Sequence, residues 1–189
     1  MTLTRTMPGW FAAAIAACDP VAWGDPEPLV AHDGWRPLEG EDPFGAPPEG
    51  AWCDGLGWGP EDFGGEPSFD VRTGICPWLT VQQATFAELE PTDRLFIRVW
   101  HDMLVSPDPD PSARIGVSVV DDLVFEQVVP IPTQSGIILA DLELRRGIET
   151  GTLLRFHVDN HGANSYHLLE ISRRPAVPPK DGVDLGVPP

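Results

Sequence analysis

Three of the chain's five histidines fall within eleven residues, in the segment Phe156-His157-Val158-Asp159-Asn160-His161-Gly162-Ala163-Asn164-Ser165-Tyr166-His167. Imidazole nitrogens together with carboxylate oxygens are ordinary donors to zinc or copper. Asp, Asn and backbone carbonyls gathered on one loop suit calcium instead. His101 and Asp102 close another strand and extend the set, so the candidate metal ligands are His101, Asp102, His157, His161 and His167. The competing reading needs no cofactor: His157 and His167 are half-buried strand residues flanking an Asn-Gly turn, in which Gly162 supplies left-handed backbone freely.

The histidine spacing, His157-x3-His161-x5-His167, is not the His-x-His pair of cupins, and no His-Glu-x-x-His zincin motif occurs. A second constellation lies at Arg98 and Trp100. An indole beside a guanidinium can stack on a sugar ring or on a partner's side chain. With Asn160, Asn164 and Tyr166 these residues make up the candidate ligand-binding set. The alternative is that this face packs on the Trp-rich stretch 50–69. The sequence has no Gly-rich phosphate loop, nucleophile elbow or Cys-x-x-Cys pair, and no catalytic residue is assigned. A formal net charge of -17 argues against nucleic acid as a partner, because phosphate binding needs a basic surface.

These residues must be positioned by strands. From about Ser68 onward, short alternating runs are divided by turn signals. Strands are expected at Trp78 to Gln83, Arg94 to His101, Arg114 to Val120, Leu123 to Val129, Ile137 to Leu144, Thr152 to Val158 and Ser165 to Ser172. In the clearest, Leu95, Ile97 and Val99 line one face, while Phe96, Arg98 and Trp100 line the other. Asp121-Asp122 closes one hairpin. Val158 opposite Ser165 would close the last, placing His157 with Tyr166 on one sheet face and Phe156 with His167 on the other. The absence of βαβ alternation makes the expected class all-β, an antiparallel β-sandwich with an irregular Trp/Pro/Gly-rich N-terminal segment.

Val81-Gln-Gln, then Leu89-Glu-Pro-Thr-Asp, then Leu95-Phe-Ile-Arg-Val, with a closing Tyr166-His-Leu-Leu-Glu-Ile-Ser, resembles the strand rhythm of jelly-roll carbohydrate-binding modules over residues 70–173. That resemblance implies a jelly-roll-like sandwich. It suits a non-enzymatic module with a glycan or protein ligand, against a metal-binding protein or metal-dependent enzyme built on the histidines.

The N-terminus carries a separate resemblance. Arg5, the apolar run Met7 to Ala17 and then Ile15-Ala16-Ala17-Cys18 are similar to the lipobox-type signal peptide of bacterial lipoproteins. This implies a signal peptide at 1–17, a lipid on Cys18, a membrane as partner through that anchor, and a place in the cell envelope. The alternative is a short buried helix from Trp10 to Cys18. With Cys18 lipidated, Cys53 and Cys76 remain as an even pair and form a disulfide, as exported proteins favour; otherwise they are two separate thiols in a cytoplasmic structural protein. Residues 18–49, rich in Pro, Gly and acidic side chains, are expected to be an extended tether. At ~3.3 Å per residue it would hold the domain up to ~100 Å from the bilayer. The domain is expected over 50–173, with a disulfide-pinned loop at 50–76 packed through Trp52 and Trp58, and a disordered tail at 174–189.

Overall fold

The computed structural model describes residues 22–177. Two antiparallel sheets face one another. One has five strands in the order β3 (Arg36–Pro37), β6 (Trp78–Ala84), β11 (Leu153–Asn160), β8 (Ser112–Val119) and β9 (Asp122–Pro130). The other has six: β10 (Gly136–Glu143), β7 (Arg94–His101), β12 (Ser165–Arg174), β5 (Glu66–Arg72) and β4 (Trp58–Phe63) in order, with β2 (Glu27–Pro28) also paired to β12. A two-stranded ribbon joins β1 (Ala22–Trp23) to β13 (Ala176–Val177).

Period-2 alternation builds the core. Leu95, Ile97 and Val99 of β7 and Phe69 and Val71 of β5 point inward. They meet Val81 of β6, Ile115 and Val117 of β8, and Leu154, Phe156 and Val158 of β11. Trp35 fills the space between, with its ring 5.8 Å from Phe69 and 6.2 Å from Phe156. Strand β7 spans the residues expected, and its faces alternate as expected.

The structure departs from the sequence reading in four places. Residues 22–49 do not form an extended tether: Leu29, Val30, Trp35 and Phe44 are buried, and the Leu29 amide donates to the Ile171 carbonyl at 2.9 Å. Pro, Gly and acidic content argued for mobility, but each large apolar side chain buried contributes about 1.5–3 kcal/mol, and four of them fix the segment. Residues 58–72 are a β-hairpin and not a loop; Trp58 packs 5.8 Å from Phe69, whereas Trp52 is 62% exposed. The Cys53–Cys76 disulfide forms, with Cα atoms 4.3 Å apart. Arg174 ends β12 and Ala176–Val177 pairs with β1, so the expected tail is ordered at its start. Finally, β11 and β12 are not a hairpin. They belong to opposite sheets, and the 160–165 connection crosses the end of the sandwich. The proposed signal peptide and Cys18 lie outside the described residues.

Candidate functional site

Because β11 and β12 separate, the histidine-rich segment does not assemble one site. His157 projects from the outer face of the five-stranded sheet and His167 from the outer face of the six-stranded one. His161 sits on the crossing, its Nδ1 within 3.2 Å of the Ser112 amide and 2.9 Å of the Ser112 carbonyl. His101 is buried, with Nδ1 2.8 Å from the Asp102 carbonyl and its ring 6.2 Å from Tyr166. The five expected metal ligands are therefore not gathered together.

Asn160, Asn164 and Tyr166 turn inward. The Tyr166 hydroxyl donates to Asn160 Oδ1 at 3.2 Å, and Asn160 Nδ2 donates to Thr73 Oγ1 at 2.8 Å and to the Gly162 carbonyl at 2.9 Å. Asn164 accepts from the Val105 amide at 3.0 Å and donates back to its carbonyl at 3.2 Å. Gly162, at φ +144°, is required here because a Cβ would collide with the Val105 carbonyl. These side chains close the crossing loop. Burial pushes the Tyr166 phenol far above its ordinary range, and the charges of Asp102 and Asp159 add to it.

The outer face of the five-stranded sheet is covered by the chain itself. Phe44 lies flat on His157, with ring centroids 4.5 Å apart and planes at 9°, over the neighbouring Gly116, where any Cβ would displace it. Trp78 meets the His157 ring edge-on at 4.6 Å. Thr80 Oγ1 donates to Asp42 Oδ2 at 2.7 Å and lies 2.7 Å from His157 Nδ1. His157 Nε2 lies 3.1 Å from Asp159 Oδ2, which also accepts from Arg114 at 2.7 Å. Arg114 in turn lies over Trp78 at 5.1 Å. Burial pushes the Asp159 carboxyl upward, but the hydrogen bonds from His157 and Arg114 outweigh it and hold the group below its ordinary value. Beside this lock, Trp78, Arg114, Asp159 and His161 line a cleft of about 670 Å³.

The outer face of the six-stranded sheet is open. Trp100 and Arg98 stand there as the sequence anticipated. The indole packs 4.5 Å from Phe63 and 5.4 Å from His167, and Phe63 lies 4.2 Å from His167. Phe63 and Glu66 belong to the 50–69 stretch, so that stretch packs on part of this face, over His167 and beside Trp100 and Arg98, as the alternative reading expected. Arg98 is ion-paired with Glu66, and its Nε lies 3.4 Å from Glu170. Ile137 and Leu139 on β10, the cross-strand partners of Trp100 and Arg98, are 54% and 60% exposed. Beneath the rings, Asp70 accepts from Arg72 at 2.7 Å.

Among the described residues, the ligating atoms that come within 4.8 Å of one another in a set of three belong to Glu61, Asp70 and His167. Only His167 was a sequence candidate. Glu61, Phe63, Ser68 and Asp70 were missed because 50–76 read as loop. The alternation Ser68-Phe69-Asp70-Val71-Arg72 was the signal that could have found them.

No protein-family model and no curated protein sequence matches the chain. Among solved structures it is similar to the CBM22-1 xylan-binding domain from Paenibacillus barcinonensis, at 12% identity over 84% of this chain and 100% of that one, with a TM-score of 0.43. It is similar to a CBM61 module in complex with beta-1,4-galactotriose, at 11% identity over 78% and 97%, with a TM-score of 0.41. A structure of the M60 catalytic domain with CBM51 domains from Clostridium perfringens is similar at 16% identity over 59% of this chain, with a TM-score of 0.37. The chain spans 11% of that protein's length.

Proposed function

We propose that this chain is a non-enzymatic binding module, exported and lipid-anchored through Cys18, whose open sheet face takes a surface glycan. The observation that carries the reading is the half-buried strip of Trp100, Phe63 and Arg98 beside exposed Ile137 and Leu139. A partly exposed indole offers apolar surface to the C–H face of a sugar. Arg98, held by Glu66 and Glu170, sets donors and acceptors in fixed positions for ring hydroxyls. The net charge of -17 favours neutral or basic sugars over acidic ones.

The Cys53–Cys76 bond supports the exported reading, since such bonds persist in oxidising compartments. With 22–49 packed on the domain, only residues 19–21 separate Cys18 from β1, a reach of roughly 13 Å at ~3.3 Å per step. The module then lies against the bilayer instead of on a long stalk. A glycan array probed with the full chain is expected to give hits among neutral glycans that disappear in Trp100→Ala. Binding unchanged in that variant, or no hit at all, refutes the ligand assignment. Intact-mass analysis of native protein is expected to show acyl mass on Cys18; an unmodified cysteine refutes the anchor.

A further inference from the structure

We propose that Glu61, Asp70 and His167 form a binding site for a divalent transition-metal ion of the zinc type on the open face of the six-stranded sheet. The residues come from three adjacent strands, β4, β5 and β12, and Asp70 is the direct cross-strand partner of His167. Their ligating atoms lie within 4.8 Å of one another.

The hydrogen bonds around them leave an unmade contact. Ser68 Oγ donates to the Glu61 carbonyl at 3.2 Å and lies 3.4 Å from His167 Nδ1, which leaves Nε2 as the ring nitrogen turned toward Asp70. Nε2 faces Asp70 Oδ1 at 3.7 Å. Asp70 is 2% exposed, its Oδ2 is held by Arg72, and Oδ1 has no hydrogen-bond partner. The buried Oδ1 of Asp70 is thus aimed at His167 Nε2 with no hydrogen bond made to it, and a buried carboxylate oxygen without a partner is costly. The separation of the two atoms suits two ligands each about 2.1 Å from one ion.

The donor set selects the ion. One imidazole with two carboxylates suits zinc and its neighbours, whereas calcium takes oxygen ligands throughout. Ser68 and Arg72 play the outer roles such sites need, one orienting the ring and the other the carboxylate. Glu61, whose side chain is 43% exposed, supplies the third ligand from the solvent side. This inference stands independently of the glycan reading.

Calorimetric titration of the chelator-stripped full chain with zinc chloride is expected to show one equivalent bound, and titration with calcium chloride none. Cobalt(II) is expected to give the visible absorption of a low-symmetry nitrogen–oxygen site. Glu61→Gln, which keeps the side chain's shape and changes an exposed carboxylate 3.9 Å from Arg72, is expected to lose that equivalent. Ser68→Ala is expected to weaken it about tenfold, while His161→Ala leaves it intact. No zinc equivalent in the native chain, or equal uptake by Glu61→Gln, overturns the site.

Discussion

The two outer faces of this sandwich carry the same constellation, and only one of them is finished. Each centres on a histidine: His157 on the five-stranded sheet, His167 on the six-stranded. Each histidine has a phenylalanine on its ring at 4.5 Å (Phe44) or 4.2 Å (Phe63), and a tryptophan beside it (Trp78, Trp100). Each has a hydroxyl at Nδ1, from Thr80 or Ser68, and a carboxylate at Nε2, from Asp159 or Asp70. The distances differ in one direction. Around His157 they are 2.7 Å and 3.1 Å; around His167 they are 3.4 Å and 3.7 Å. The first set is closed under Phe44 and a stretch of the chain's own backbone, and every nitrogen of the ring is engaged. The second is slack, lies beneath the partly exposed rings of Phe63 and Trp100, and leaves a buried carboxylate oxygen unpartnered. The same residue types therefore make a structural lock on one side and a receptive surface on the other. What separates them is which groups remain unsatisfied.

The sharpest way to break that contrast is to open the lock. Phe44→Ala removes a buried ring stacked on His157 and is expected to cost about 3 kcal/mol of folding stability. Gly116→Val, which drives the ring off from below, is expected to act in the same direction. Phe63→Ala on the open face is expected to cost about 1 kcal/mol, because its ring is half-exposed and the sheet beneath stays paired. Urea unfolding of the three variants decides the matter. Equal losses for Phe44→Ala and Phe63→Ala would show that both faces are structural.

How much of this was legible beforehand depended on where the pattern was local. Strand β7, with Arg98 and Trp100 pointing outward, could be read from alternation alone. The disulfide followed from counting cysteines. The lock could not be read, because Asp42 sits 38 residues before Thr80, and Phe44 farther still before His157, in a segment whose composition signals disorder. Four apolar side chains scattered among Pro, Gly and acid give no period, yet they decide the packing. The histidine cluster misled for the opposite reason. Nearness in sequence suggested nearness in space, but a crossing between sheets puts His157 and His167 on opposite sides of the core. The open site was half visible: Trp100, Arg98 and His167 were named, while Asp70 and Glu61 were hidden in a hairpin taken for a loop.

A second test exploits the charge of the lock. Asp159 has its folded pKa held below the unfolded value, so its contribution to stability is present above the ordinary carboxylate pKa and is lost as pH falls through the lower folded value. Asp159→Asn removes charge-assisted hydrogen bonds to His157 and Arg114 and is expected to cost about 2 kcal/mol at neutral pH. It should also flatten the acid limb of a stability-against-pH curve measured by urea midpoint. An acid limb identical to that of the native chain would mean that the lock does not depend on this carboxylate, and the contrast between the faces would shrink to packing alone.

The smallest expected effect on folding is the most informative about function. Trp100→Ala removes a partly exposed ring that touches Phe63 and His167 from outside the core, so its stability cost is expected to be about 1 kcal/mol. A large exposed-side aromatic with so small a structural contribution, flanked by two exposed aliphatic side chains, has little reason to stand on a sheet face unless something outside the chain covers it. If its removal instead destabilised the fold as much as Phe44→Ala, Trp100 would be holding the sheet together. The open face would then be a second lock, less tightly drawn, and the ground for placing a ligand there would be gone.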